Sequence, residues 1–149
     1  MEKALGKVVN GVAVITAEAD GKANGMTAAW FTRVSSVPPL VIVSVGHGRY
    51  TKDLIKRSQH FCVNILAENQ VKLARKFGLT SGRNVNKFDG INYTRGKTGS
   101  PVLDCTAAYL DCRLDRMVEV GDHVLFIGEV VDCESSDRKP LVARMDDYL

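Results

Sequence analysis

Short apolar segments bounded by tight-turn signals are the feature that most restricts the fold of this chain. The segment Val12–Thr16 is rich in β-branched residues and is followed by Asp20-Gly21, a pair typical of a hairpin turn. Another turn signal, Gly121-Asp122, separates Ala108–Asp115, where apolar and polar residues alternate, from the apolar run that begins at His123. These patterns predict antiparallel strands joined by hairpins.

Four further segments are predicted to be strands, and one of them is Phe61–Leu66. Ala23–Val34 forms the second arm of the first hairpin and ends before Pro38-Pro39, because proline cannot donate a ladder hydrogen bond. Leu40–Val45 is apolar at both alternating sets of positions, as in a central strand. Pro140–Ala143 is a final short strand that closes the sheet.

Helical signals are few, and the two clearest ones lie in the middle of the chain. We predict a short helix with Thr51 as its N-cap, and a second helix over Glu68–Phe77 with Gly78 as its stop signal. A doubly wound α/β sheet is disfavoured, since no G-x-G-x-x-G fingerprint follows the first strand. The pattern predicts one mostly β domain over residues 1–149, a small antiparallel barrel with a few short helices.

Composition narrows the functional class. The hydrophobic and charged fractions, 45% and 25%, are those of an ordinary globular protein. No apolar run approaches the roughly 20 residues that cross a bilayer, and the N-terminus lacks the apolar core of a signal peptide, so we expect a cytoplasmic protein without a membrane partner. Neither a C-x-x-C pair nor any metal-ligand spacing is present, which predicts four buried, inert thiols and no metal site: Cys62, Cys105, Cys112 and Cys133.

Positive charge is concentrated between Lys72 and Lys97, where seven basic residues face Asp89 alone although the net charge of the chain is only +3. This distribution favours local anion binding, and a solvated helix face and loop is the alternative. Binding of single-stranded nucleic acid is disfavoured. Such sites stack bases on several exposed aromatics, and only Phe88 and Tyr93 lie close to the basic loop.

Three features favour a phosphate site. The loop Gly46–Thr51 leads into a helix N-terminus, whose free N–H groups attract anions, and Arg49 and Lys87 supply positive charge. The stretch Asn24–Trp30 contains a glycine and two alanines, and these small residues let a ligand approach the strand backbone closely. A phosphate next to such a strand indicates a phosphorylated planar cofactor. Each feature also has a purely structural explanation: Thr51 as a simple helix cap, Arg49 as a surface charge and Lys87 as part of a solvated loop.

His123 is the candidate for chemistry among the three histidines. None of the three, His47 and His60 included, falls in a Ser or Cys nucleophile motif. A histidine at a strand end can donate a proton or orient a ligand, and it can equally be structural.

The sequence resembles the flavin reductase-like FMN-binding proteins of split-barrel fold, which include flavoredoxins and the flavin-reducing components of two-component monooxygenases. The resemblance covers nearly the whole chain. The residues that carry it are Asn24-Gly25-Met26-Thr27-Ala28-Ala29-Trp30, Ser35-x-x-Pro38-Pro39-Leu40, Tyr50-Thr51, Phe61-x-Val63-Asn64-Ile65-Leu66, Gln70-x-x-Leu73-Ala74, Lys87-Phe88-x-Gly90 and Gly121-Asp122-His123.

This resemblance implies an antiparallel split barrel of Greek-key type and a set of site residues. The isoalloxazine ring and ribityl chain of FMN would be bordered by Asn24, Gly25, Met26, Thr27 and Ala28. The phosphate would fall to Ser44, Arg49, Thr51 and Lys87, with Tyr50 and Phe88 lining the pocket. His123 would lie near the reactive face, where the electron donor arrives.

The resemblance also implies an activity, that of an NAD(P)H:flavin oxidoreductase. Electrons would pass from NAD(P)H through bound FMN to free flavin, iron or a redox protein. The alternative is a flavoredoxin-like carrier that takes electrons from a redox-protein donor without direct use of NAD(P)H, a reading that the absence of a separate dinucleotide motif favours. A homodimer is implied in either case. The C-terminus departs from longer relatives, because Leu141–Leu149 lacks their Arg-Gly-Arg/Tyr-type ending.

Overall fold

Strands dominate the part of the chain that this computed structural model describes, residues 1–143. The helices are α1 Glu2–Leu5, α2 Tyr50–Ser58 and α3 Val71–Leu79. The strands are β1 Asn10–Gly11, β2 Ala13–Ala19, β3 Lys22–Ala28, β4 Phe31–Ser35, β5 Leu40–Gly46, β6 His60–Ile65, β7 Tyr93–Arg95, β8 Pro101–Leu103, β9 Ala108–Val120, β10 His123–Ser135 and β11 Val142–Ala143. The prediction of a mostly β chain with a few short helices is confirmed.

The main sheet has seven strands in the order β3-β2-β6-β9-β10-β5-β4, and every neighbouring pair is antiparallel. Strands β3 and β4 form its two edges, although only Ala29 and Trp30 separate them in the chain. Since one residue spans at most about 3.6 Å, the two edges have to lie close together. The sheet is therefore rolled into a barrel that stays open between β3 and β4, a split barrel as the resemblance implied.

The predicted single strand Ala23–Val34 is wrong, because the structure divides it into β3 and β4. The break at Ala29 and Trp30 sends the chain across the opening of the barrel, and the carbonyl of Trp30 accepts a hydrogen bond from the N–H of Ser44 at 2.9 Å. Continuous β propensity cannot reveal such a break, since both halves remain extended and only their pairing partners change. β3 pairs with β2, and β4 pairs with β5.

Two other strand predictions need correction. In β5 burial alternates, so that Val41, Val43 and Val45 are buried while the other face is partly exposed. The strand thus has one covered face rather than two. Strand β11 pairs with β1 in a separate two-stranded sheet and does not close the main sheet. The remainder of the predicted C-terminal segment, residues 144–149, lies outside the described residues.

Both central helices are present with shifted ends. Arg49, and not Thr51, is the N-cap of α2, because the Thr51 hydroxyl turns to β3 and accepts a hydrogen bond there. Helix α3 begins at Val71 and continues through Gly78, which was predicted to stop it. Each of these helices has nine residues, and within residues 1–143 no helix is long and apolar enough to cross a membrane.

Apolar side chains form two clusters, one on each side of β2. Ile15, Phe61 and Phe126 belong to the barrel interior, on which Leu54 of α2 packs. The second cluster lies under α3 and contains Val14, Leu66, Phe77 and Phe88. Adjacent residues of β2 thus serve different clusters, as the alternation of side chains along a strand requires.

The thiol prediction is half wrong. Cys62 and Cys112 are buried, whereas Cys105 and Cys133 are exposed. Burial, together with the neighbouring Asp111, raises the pKa of the Cys112 thiol to about 12, which keeps it unreactive.

Candidate functional site

A small polar pocket lies where the first turn of α2 meets β3 and the loop that follows α3. Its volume is about 160 Å³, and we call it the Arg49 pocket. Six predicted cofactor residues line it: Asn24, Met26, Arg49, Tyr50, Thr51 and Lys87. The remaining lining comes from the Gly48 backbone and from Gly78, Leu79, Thr80, Ser81 and Gly82. The structure thus brings together residues that are up to 63 positions apart in the sequence, from Asn24 to Lys87.

Asn24 and Thr51 form the rigid wall of this pocket. The Asn24 amide donates to the Thr51 hydroxyl at 3.0 Å, and both side chains are buried. Gly82 presses against the other side of Asn24, because a Cβ at Gly82 would collide with the Asn24 side-chain oxygen. Sequence reasoning missed Gly82, although the Ser81-Gly82 pair marked a tight turn in a polar loop.

Lys87 places a buried cation at the base of the pocket. Its ammonium donates to the carbonyls of Gly25 at 2.9 Å and Phe77 at 3.0 Å, and the residue is only 3% exposed. Desolvation by burial and the nearby charge of Arg49 lower the pKa of Lys87 to about 8. Among the residues that the structure describes, no carboxylate forms an ion pair with Lys87 or with Arg49.

The electrostatics of the pocket therefore favour an anion. Two cationic side chains that form no ion pair with a carboxylate of residues 1–143 lie beside the N-terminus of a nine-residue helix. The helix end adds free N–H groups and a partial positive charge. A phosphate fits this donor set, because it accepts several charge-assisted hydrogen bonds at once.

Three other predicted residues of β3, namely Gly25, Thr27 and Ala28, do not line the pocket. The Thr27 hydroxyl donates to the carbonyl of Ala74 in α3 at 2.6 Å. A Cβ at Gly25 would lie 3.0 Å from both the Phe77 ring and the Val14 side chain, so the absence of a side chain lets α3 pack closely on β3. Ala28 is buried in the barrel interior. The small residues of this strand thus serve helix packing and the barrel core as well as the pocket.

Ser44 is not brought to the Arg49 pocket. It lines a larger cavity on the outer face of β5 and β10, which we call the outer groove. This groove has a volume of about 930 Å³ and contains Leu5, Val8, Val9, Trp30, Phe31, Ile42 and Leu125. Several of these apolar side chains are strongly exposed, for example Val9 at 79%. The placement of Ser44 offers no support for its predicted contact with phosphate.

His123 lies between the pocket and the groove. It is the first residue of β10 and pairs with Gly46 of β5, after a turn in which Gly121 adopts a φ of 55°. Its ring lies 4.8 Å from the Trp30 ring, centroid to centroid, and its Nδ1 is 2.6 Å from a carboxylate oxygen of Asp122. This contact lowers the pKa of Asp122. A Cβ built on Gly46 would lie 3.9 Å from His123 Nε2 and 3.8 Å from Arg49 Cγ, so the two side chains flank the same glycine.

Phe88, the last predicted residue, lines a neighbouring cleft rather than the Arg49 pocket. This Tyr93 cleft has a volume of about 460 Å³ and shares Tyr50 and Gly82 with the pocket. Phe88 packs there against Phe77 and Tyr93, with ring centroids 5.3 Å and 4.8 Å away. The two cavities are thus adjacent.

Residues 5–148 of the chain match the flavin reductase like domain family. The chain belongs to this family. It is 36% identical over 143 residues to a flavin reductase of Pseudomonas putida, a match that covers 94% of this chain and 82% of that protein. The solved structure of the NADH:FAD oxidoreductase of Streptomyces globisporus superposes with a TM-score of 0.90 at 32% identity, over 96% of this chain and 86% of that one. These matches confirm the flavin reductase resemblance.

Another relative is longer than this chain. The high molecular weight rubredoxin of Moorella thermoacetica is 39% identical over 132 residues, which are 87% of this chain and 58% of that protein. The chain thus spans little more than half the length of this relative.

Proposed function

We propose that this chain binds FMN and acts as an NAD(P)H:flavin oxidoreductase. The observation that carries the proposal is the Arg49 pocket. In this pocket, Arg49 and Lys87 form no ion pair with any carboxylate of residues 1–143, and the N-terminus of α2 lies at its wall. Arg49, Thr51 and Lys87 would hold the phosphate. The pocket is smaller than the roughly 300 Å³ of the smallest typical ligand sites, so it would take the phosphate end and leave the ring outside it.

The remaining predicted residues would border the rest of the flavin. Asn24 and Met26 line the pocket next to the phosphate end. His123 flanks Gly46, and its ring contacts Trp30, which lines the outer groove. Gly25, Thr27 and Ala28 would contact the flavin through their backbone groups. Gly25 and Thr27 lie against α3 on their side-chain face, and the Ala28 side chain is buried in the barrel interior. Phe88 would support Tyr50 from the adjacent cleft. We leave Ser44 out of the proposed site.

Bound flavin would supply the two-electron chemistry by accepting a hydride from NADH or NADPH at N5. The chain would contribute binding and orientation. His123 is fixed on one side by Asp122 and on its face by Trp30, which leaves Nε2 as the ring nitrogen beside Gly46. From there it would orient the incoming electron donor. The acceptor would be free flavin, iron or a redox protein.

The matched proteins support a reductase activity. One is named a flavin reductase and another an NADH:FAD oxidoreductase, and the chain aligns with most of their length. We also propose a homodimer with a second copy of the chain covering the outer groove. The exposed apolar side chains of that groove support this part of the proposal, because patches of this kind mark interaction surfaces.

A second candidate is an FMN-binding electron carrier, like a flavoredoxin, that exchanges electrons with a protein partner and does not use NAD(P)H directly. Its support is the relative named a high molecular weight rubredoxin, in which the matched region is only 58% of the protein. For this chain, the redox partner would be a separate protein.

Flavin absorbance tests the proposal. Purified protein is loaded with FMN, passed through a desalting column and scanned in the visible range, and is then mixed with NADH or NADPH in an anaerobic stopped-flow instrument. The reductase predicts retained or titratable flavin absorbance that bleaches on mixing with one nucleotide. Bleaching only by a reduced redox protein would favour the carrier, and a protein that neither retains nor titrates flavin would refute both.

A further inference from the structure

The Arg49 pocket uses only part of the positive charge between Lys72 and Lys97. One of the seven basic residues of this segment, Lys87, lies in the pocket, and Arg83 and Arg95 form ion pairs with carboxylates. Three of the remaining four lie on helix α3, namely Lys72, Arg75 and Lys76. The charge that the proposed function leaves unused is thus concentrated on one helix.

These three cations and Leu79 share one face of α3, because residues at i, i+3, i+4 and i+7 lie on the same side of a helix. We call the face formed by Lys72, Arg75, Lys76 and Leu79 the α3 stripe. Lys72 and Arg75 are exposed, and Leu79 is 70% exposed although it is apolar. Lys76 donates to the backbone carbonyl of Asp89 at 2.7 Å, which leaves its charge at the surface. The stripe is therefore open to a partner.

The stripe has no counter-charge of its own. Helix α3 contains no acidic residue, and within residues 1–143 no carboxylate forms an ion pair with Lys72, Arg75 or Lys76. Lys72 and Lys76 are four positions apart, and like charges at this spacing destabilise a helix. Carboxylates of a bound partner would offset this repulsion, so the charge of the stripe is complementary to an acidic surface.

The stripe ends at the entrance of the Arg49 pocket. Its last residue, Leu79, lines the pocket together with Gly78 and residues 80–82, yet most of its surface is exposed. An apolar contact with a charged rim is the usual composition of a protein interface. A protein that covers the stripe would therefore lie next to the proposed cofactor.

We propose that the α3 stripe is the docking surface for an acidic redox protein. This inference rests on the proposed function, which already includes a redox protein, and it adds the surface and the charge by which that protein binds. Opposite charges accelerate the encounter of two proteins, and salt screens this attraction. The complex is transient, because each exposed charge pair contributes little to its stability.

Two probe proteins of opposite charge test the inference by binding alone. The probes are oxidised plant-type ferredoxin, which is strongly acidic, and cytochrome c, which is strongly basic. Surface plasmon resonance with the FMN-loaded protein gives their dissociation constants at about 20 mM and about 200 mM salt. We expect the dissociation constant of ferredoxin to rise about tenfold between these two salt concentrations, and cytochrome c to bind at least about tenfold more weakly than ferredoxin at low salt.

The double variant Lys72→Glu/Arg75→Glu reverses the charge of the stripe. Folding is not at risk, because both side chains are exposed and a glutamate at position 72 lies four residues before Lys76, a spacing that stabilises a helix. We expect the dissociation constant of ferredoxin to rise about tenfold at low salt. The dissociation constant of FMN should stay within about twofold, because neither residue lines the Arg49 pocket.

Lys3→Glu/Lys7→Glu is the matched control. It changes the net charge by the same amount, and both residues are exposed in the N-terminal segment, whose Leu5 and Val8 line the outer groove. The dissociation constant of ferredoxin should stay within about twofold in this variant, because the two charges lie outside the stripe.

The outcomes separate the stripe from the function beneath it. No binding of ferredoxin at low salt, or an equal loss in the two double variants, would overturn the stripe, and retained FMN would leave the reductase proposal standing. Tighter binding of a single-stranded oligonucleotide than of ferredoxin would also overturn it, because the stripe would then serve a nucleic acid. A protein that binds ferredoxin through the stripe but no flavin would refute the proposed function and leave the stripe as a docking surface for an acidic protein.

Discussion

The Arg49 pocket and the outer groove differ in size, polarity and exposure. The pocket has about 160 Å³ and contains a lysine that is 3% exposed, whereas the groove has about 930 Å³ and presents valines such as Val9 to solvent. The pocket buries charge, and the groove exposes apolar surface. Buried charge and exposed apolar surface are both unfavourable in an isolated protomer. A different binding partner would compensate each of them.

The physical cost differs between the two regions. Burying an ammonium group is unfavourable unless hydrogen bonds or an opposite charge compensate it. Lys87 has two carbonyl acceptors and no described carboxylate, so a phosphate would complete its surroundings. In the groove, the unfavourable term is the contact of apolar side chains with water. Packing of a second apolar surface against them would remove that contact. The difference indicates a small anion in one region and a protein surface in the other.

Replacing the buried lysine should have the largest effect on this comparison. Lys87→Met keeps the length of the side chain but leaves the carbonyls of Gly25 and Phe77 without their donor. We expect the free energy of unfolding to fall by about 2–3 kcal/mol, as for other losses of buried hydrogen bonds. Chemical denaturation measures it.

Lys76→Met is the matched control. Lys76 also donates to a backbone carbonyl, that of Asp89 at 2.7 Å, but it does so at the surface. Its replacement should change the free energy of unfolding by less than about 0.5 kcal/mol. Similar losses in the two variants would mean that Lys87 is no more important to the fold than a surface lysine.

A charge in the outer groove should break the proposed homodimer. Val9→Asp places a carboxylate among exposed apolar side chains, where a partner copy would have to bury it. We expect the dimer dissociation constant to rise by about thirtyfold, a cost of about 2 kcal/mol, without loss of protomer stability. Sedimentation velocity over a concentration series measures the dissociation constant. Val118→Asp, on β9 outside the groove, should leave the dimer intact, and a monomeric wild-type protein would contradict the proposal.

Alkaline pH should weaken the pocket and not the groove. Because the pKa of Lys87 is lowered to about 8, its ammonium loses its proton as the pH rises above that value. The charge that attracts phosphate is therefore present below about pH 8 and declines above it. Bound phosphate raises the pKa of the lysine, so binding at high pH requires the uptake of a proton. We therefore expect the affinity for FMN to fall by about tenfold between pH 7.5 and 9.5. Riboflavin, which has no phosphate, should show no such change in a parallel fluorescence titration.

The smallest effect is expected at the boundary between the two regions. His123→Gln removes the ring that contacts Trp30 but leaves the Arg49 pocket unchanged. The rate at which NADH reduces the bound flavin should fall by about threefold, the value of one orienting hydrogen bond, while the dissociation constant of FMN stays within about twofold. Stopped-flow mixing measures the rate. His60→Gln, at the start of β6, serves as control, and a matching loss there would show that the effect is not local.

Part of the candidate site could be predicted from the chain alone. The phosphate loop, Arg49 and Lys87 were selected because glycines, a helix start and basic residues have a recognisable local chemistry. Gly82 was missed, because its importance lies in contact with Asn24, which is 58 positions away. Ser44 was placed in the phosphate site by the resemblance, but strand β5 directs it into the outer groove.

The sequence by itself determined the local structure and the family. Asp20-Gly21 and Gly121-Asp122 specify their hairpins, because a tight turn depends on the conformations open to two adjacent residues. The strands on either side follow from β-branched and alternating residues. Seven short motifs in order were sufficient to indicate a flavin reductase-like split barrel, and the family match confirmed it.

Only the tertiary structure decided how these parts meet. It divided Ala23–Val34 at Ala29 and Trp30, and so placed β3 and β4 at opposite edges of the same sheet. It also brought Lys87 to the carbonyl of Gly25, 62 residues away, and set the Tyr93 cleft beside the Arg49 pocket. The periodicity of apolar residues indicates which face of a strand or helix is buried. Pairing across the barrel depends on packing between distant segments, and no local pattern contains that information.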